Sequence, residues 1–93
     1  MYGVLVRLEI DAARADEAVK LLHEMAIPAI KSGAGFLSGT WMRSEAGDRT
    51  ASVLIYVSEE DAVAAAGRAA EMPPPGGPAT FVSAEVFEVV AQA

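Results

Sequence analysis

From Tyr2 to Ile10 apolar side chains fall on every second residue: Tyr2, Val4, Val6, Leu8 and Ile10 on one side, with Gly3, Leu5, Arg7 and Glu9 on the other. A period of two predicts a β-strand, and the second side is mixed, with an apolar residue beside two charges. Asp11 then stands where a helix N-cap belongs, and Asp16 and Glu17 place negative charge near the positive end of the helix dipole. Ala15, Val19, Leu22, Ala26 and Ile30 recur at three- and four-residue steps, which predicts an amphipathic helix of four to five turns. Pro28 lies late in that pattern and is expected to kink or end it, because proline lacks the N–H and crowds the preceding turn. Ser32-Gly33-Ala34-Gly35 turns the chain.

Strand patterns return at 36–43 (FLSGTWMR) and 50–57 (TASVLIYV), joined by a polar hairpin loop at 44–49. Ser58-Glu59-Glu60-Asp61 is a variant capping box that opens an alanine-rich helix running to about Glu71. Met72-Pro73-Pro74-Pro75-Gly76-Gly77-Pro78 excludes both helix and central strand and predicts a loop, a connector or a lid. A last strand is expected over 80–90. The order β-α-β-β-α-β is the ferredoxin-like, split βαβ arrangement of an α+β domain, here a single domain over residues 1–93. Two helices cover one face of a four-stranded antiparallel sheet. Apolar and aromatic residues on both parities (Leu5, Trp41, Leu54, Tyr56, Phe81, Phe87) predict that a second copy of the chain covers the other face, as a homodimer.

Composition narrows the chemistry. The chain has 93 residues, 53% of them hydrophobic, and a formal charge of −6. Without a basic footprint, nucleic acid is not an expected partner, and an anionic membrane surface is disfavoured for the same reason. The absence of cysteine excludes disulfides, thiolate metal sites and a thiol nucleophile. With one histidine and no asparagine, a two-histidine metal site is excluded too; no metal or cofactor is expected. No apolar run approaches the roughly 20 residues of a membrane span, and no signal-peptide pattern opens the chain, so a cytoplasmic location is expected.

The opening strand "YGVLVRLEI", the helix end "AIPAIKSGAGF" with its Gly35-Phe36 strand entry, and the strand and acidic helix start "TASVLIYVSEEDAVAAA" resemble the dimeric α/β-barrel superfamily, in particular antibiotic biosynthesis monooxygenase-like proteins. The resemblance spans nearly the whole chain and implies two sheets packed face to face, with ligands in a cleft between sheet and helices or inside the barrel. It implies, as a candidate activity, a cofactor-independent oxygenase acting on an aromatic or lipophilic metabolite. Heme-degrading members use an asparagine on the first strand and a histidine late on the second helix. This chain has no asparagine, and Arg68 to Met72 followed by Pro73-Pro74-Pro75 stands where that histidine would fall. Acylphosphatases share the topology but need an arginine loop and an asparagine, metallochaperones need Cys-x-x-Cys, and RNA-recognition domains need a basic aromatic sheet. None of these is present.

Five residues carry the candidate chemistry. His23, the one side chain whose ordinary pKa is near neutrality, reads as a proton acceptor at the rim of a cleft or as a surface histidine. Tyr56 reads as a hydrogen-bond donor or acid. Trp41 and Phe87, with Tyr56 and Phe81, read as the walls of a flat slot for an aromatic ligand or as filler of the dimer core. Arg7 reads as an anchor for an anionic substrate or as half of an ion pair with Glu85 at the dimer seam. The acidic residues of the hairpin and of the second helix start read as solvated loop and cap groups. A non-catalytic binding module and a filled-core structural dimer stand as alternatives to the oxygenase.

Overall fold

A computed structural model describes all residues, Met1–Ala93. Four strands, β1 (Tyr2–Ile10), β2 (Phe36–Arg43), β3 (Arg49–Tyr56) and β4 (Ala79–Glu88), form one antiparallel sheet in the order β2-β3-β1-β4. Between β1 and β2 runs a helical arm built of a 3₁₀ turn (Ala12–Arg14), α1 (Ala15–Leu21), a π-helical turn (Leu22–Ala26) and α2 (Ile27–Lys31). α3 (Glu59–Ala69) connects β3 to β4. This is the ferredoxin-like α+β arrangement that the alternation and helix periods predict, with α3 ending two residues earlier and β4 spanning 79–88 instead of 80–90.

The helix starts follow from their caps. The Asp11 carboxylate accepts from the Ala13 N–H at 3.1 Å, and the Ser58 hydroxyl accepts from the Asp61 N–H at 3.2 Å. Pro28 does not end the arm. Its missing N–H and its ring are accommodated by the widened π-turn before it, in which the Ile27 N–H donates to the carbonyl of Leu22, five residues back. Gly35, at φ +73°, closes the arm. A Cβ there would meet Asp61 Oδ2 at 2.1 Å, so only glycine lets the chain pass the start of α3 and enter β2.

Register fixes the two faces. On β1 and β3 the even-numbered residues point toward the helices: Val4 opposes Leu54, Val6 opposes Ser52 and Tyr2 opposes Tyr56. With Ala62 and Ala65 of α3, the residues Val4, Val6, Leu54 and Tyr56 make a six-residue core. Small alanines let α3 lie directly on β1, β3 and β4, whereas no residue of the helical arm is buried. Only 10 of 93 residues are buried, and none of them lies on the helical arm. Bulges at Leu37 and Val82 shift the alternation on both edge strands.

The register also places Glu85 close to Arg7. Within one chain β4 lies beside β1 in the same sheet, and Glu85 opposes Leu5, one diagonal step from Arg7 on the bare face, with no ion pair between the two.

Candidate active site

The arm stands off the sheet: none of its residues is buried, and it presents Val19, Leu22, Met25 and Ile30 with several alanines toward the space beneath. The space beneath it is an open cleft of about 650 Å³. The sheet supplies its floor through Val6, Leu8, Trp41, Ser52, Leu54 and Tyr56, and the arm supplies the roof. Met72, Pro73, Pro74 and Pro78 close one end, so the proline loop forms part of the wall. That loop is tied to the arm: the Arg14 guanidinium donates to the Gly76 carbonyl at 3.0 Å, and the Asp11 N–H donates to the Pro78 carbonyl at 2.9 Å. Of the 29 lining residues 21 are hydrophobic, yet several, such as Val19 and Met25 at 39% and 59%, stay exposed. Leaving apolar surface wet in a cleft of this size is what a ligand site does before it is filled.

His23, Trp41 and Tyr56 share this cleft. His23 sits on the π-turn, whose extra residue re-aims the side chains that follow it. Trp41 is half-buried on the helix side of β2, opposite Ser52. Its ring lies back over Gly39, where a Cβ would come within 2.6 Å of Trp41 Cη2 and 2.9 Å of Cζ3. The ring therefore lies along the sheet as a flat wall only because residue 39 is glycine. Tyr56, 1% exposed, packs edge-on against Phe36 with ring centroids 5.8 Å apart and planes at 77°. Burial pushes the Tyr56 phenol above its ordinary range, the Arg68 cation beside it opposes that, and Asp61 adds to it. The phenol is thus a proton donor at neutral pH, not a base.

Arg7 and Phe87 lie elsewhere. Both are exposed on the bare face of the sheet, with Leu5, Val53, Ile55 and Met42. The bulge at Val82 puts Phe81 on the helix side, packed against the core, and Phe87 on the other, so the four aromatics do not form one slot. Two residues of the cleft escaped sequence reasoning: Arg43 at the end of β2 and Arg68 on α3. The signal for Arg68 was its place one turn before the proline loop; for Arg43, its parity with Trp41. No three histidine or carboxylate groups gather in a geometry that holds a metal ion. No helix is long and apolar enough to cross a membrane.

No family model and no curated protein matches the sequence. Solved structures do match over the full chain. MhuD from Mycobacterium tuberculosis, a heme-degrader with two hemes bound in its active site, is 25% identical with a TM-score of 0.73, covering 100% of this chain and 99% of that one. A monooxygenase from the gene ActVA-Orf6 of Streptomyces coelicolor, in complex with nanaomycin D, is 18% identical with a TM-score of 0.64, covering 99% and 89%. HapK from Hahella chejuensis, 12% identical with a TM-score of 0.69, covers 100% and 96%. Over its full length the chain thus shares the ferredoxin-like α+β fold of these proteins and resembles the antibiotic biosynthesis monooxygenase-like ones among them.

Proposed function

We propose that the protein is a homodimeric barrel that binds a small aromatic or lipophilic molecule in the cleft between sheet and helical arm, and that it acts there as a cofactor-independent oxygenase. The observation that carries this reading is the open apolar cleft with His23, Tyr56 and Trp41 on its walls. In such a reaction an electron-rich substrate supplies the electrons that dioxygen accepts. Trp41 stacks the ring system, the protonated Tyr56 hydroxyl donates to a substrate oxygen, and the His23 imidazole is the group on the walls that takes up a substrate proton.

Heme does not fit the residues of this cleft as it would a heme-degrader's. The α3 wall presents Arg68 and Ala69, with Met72 just beyond the helix, and the only imidazole stands on the opposite wall, on the π-turn. No step is assigned to heme.

The second copy rests on the bare face. Its centre is apolar, and its charges, Arg7 with Glu9 and Glu85, carry both signs. An isologous pairing about a two-fold axis sets such a patch against itself and opposes unlike charges. Trp41 and Tyr56 lie on the helix side, so they do not fill that sheet-to-sheet interface.

The test uses N-phenyl-1-naphthylamine, an uncharged aromatic probe whose fluorescence rises in apolar sites, followed by dioxygen uptake with 1,3-dihydroxynaphthalene. A ligand cleft gives saturable probe binding that Trp41→Ala weakens. An oxygenase gives uptake that His23→Ala and Tyr56→Phe abolish while the melting temperature holds. Binding without uptake favours the non-catalytic module, and no binding refutes the cleft as a ligand site.

A further inference from the structure

The charges around the cleft are distributed against the odds of the composition. The chain carries 13 carboxylates and seven basic side chains, yet the cleft is lined by Arg43, Arg68 and His23 and by no carboxylate at all. The two ion pairs of the molecule, Arg14–Glu17 and Arg49–Asp48, lie elsewhere and leave both cleft arginines without an acidic partner. A guanidinium held against an apolar cavity, with no carboxylate to neutralise it, is a binding group for an anion.

The two arginines occupy opposite ends. Arg43 opposes Thr50 in the sheet, whereas Arg68 stands beside Tyr56, six residues along β3, or about 20 Å of strand. Arg68 is the better placed. Its Nη2 reaches from α3 across to the foot of the arm, 3.1 Å from where a Cβ of Gly33 would be, and so bridges the two walls of the cleft. The buried Tyr56 hydroxyl adds a second donor at the same spot. Asp61, whose charge bears on Tyr56, faces the Gly35 backbone and does not line the cleft. Trp41, opposite Ser52, lies between the two ends as a flat apolar wall.

We infer that the cleft selects an amphiphilic organic anion: a ring-sized apolar body lying along Trp41, with one acidic group held by the Arg68 guanidinium and the Tyr56 hydroxyl. This deepens the proposed function and rests on the cleft being the ligand site. It disfavours neutral lipids and cationic aromatics as preferred ligands, since no carboxylate in the wall would pair with a cation and two guanidinium groups would repel one.

The experiment compares two probes with the same ring system, 8-anilino-1-naphthalenesulfonate and uncharged N-phenyl-1-naphthylamine. Each is titrated into the folded protein and followed by energy transfer from Trp41, the sole tryptophan. The sulfonate is expected to bind about tenfold more tightly than the neutral probe. Arg68→Gln should remove most of that preference without changing the neutral probe's affinity, and Arg49→Gln, outside the cleft, should leave it intact. Added salt should weaken the sulfonate alone. Equal affinities for the two probes, or a preference lost with Arg43→Gln and kept with Arg68→Gln, would overturn the inference while leaving the cleft as a ligand site. Failure of both probes to bind would overturn the cleft reading itself.

Discussion

Gly39→Ala isolates the placement of Trp41. The new methyl would lie 2.6 and 2.9 Å from two carbons of the Trp41 ring and 3.1 Å from Leu54 Cδ2. Sheet backbone lies beneath, so the ring must swing off the floor and into the cleft. Overpacking of this kind costs about 1–3 kcal/mol. Against it stands the gain from replacing glycine inside a strand, about 0.5–1 kcal/mol. The net expectation is a loss of up to roughly 2.5 kcal/mol, or a melting temperature lower by up to roughly 20 °C for a domain of this size. Two further readings should move together with it. Trp41 emission should shift to the red with greater quenching by acrylamide, and N-phenyl-1-naphthylamine should bind several-fold more weakly. If the variant is instead more stable than the parent with unchanged Trp41 emission, the ring does not lie over Gly39 and the cleft wall has been misplaced.

Three other perturbations test different parts of the structure. Gly35→Ala combines a positive φ with a Cβ 2.1 Å from Asp61 Oδ2, and should lower stability by about 2–4 kcal/mol in chemical denaturation; a loss under 1 kcal/mol would refute that close approach. Leu5→Glu puts a second carboxylate opposite Glu85 at the centre of the bare face and should turn a dimer into a monomer in sedimentation, since an uncompensated charge buried in an interface costs about 3–5 kcal/mol; an unchanged dimer would mean that another surface pairs. Burial raises the Tyr56 phenol and, with Glu59 and Glu88, raises that of Tyr2, so absorbance at 295 nm should show neither titrating at the ordinary tyrosine value of 10.0. A raised folded-state pKa stabilises fully below the unfolded value and is lost as pH rises through the folded one, so stability should fall above about pH 10, and less steeply in Tyr56→Phe. Two ordinary titrations would contradict the burial of the phenol.

The fold was legible in the sequence because β1 and β3 alternate without interruption and both helices have side-chain caps. The two faces of the edge strands were not. Counting by twos puts Phe36 and Trp41 on opposite sides, but the bulge at Leu37 brings them to the same one. The bulge at Val82 likewise separates Phe81 from Phe87, which share a parity. A bulge inserts one residue with no compositional mark of its own, so periodicity alone does not register it. The π-turn has the same effect on a helical wheel: one extra residue per turn rotates His23 relative to the stripe ahead of it. His23, Trp41 and Tyr56 are all present in the cleft, whereas Arg7 and Phe87 belong to the face proposed to meet the second copy. Arg68 was hidden because its role depends on an absence, the missing carboxylates and the missing Cβ of Gly33, and only spatial proximity reveals it.

Native mass spectrometry of the protein with N-phenyl-1-naphthylamine tests most directly whether this chain is a paired barrel with a ligand cleft in each copy. A ligand-binding dimer gives a species of twice 9.7 kDa that takes up one probe per chain, or that already carries a small molecule retained from purification and releases it to the probe. A 9.7 kDa species that takes up no probe would contradict both the pairing of the bare faces and the cleft beneath the helical arm.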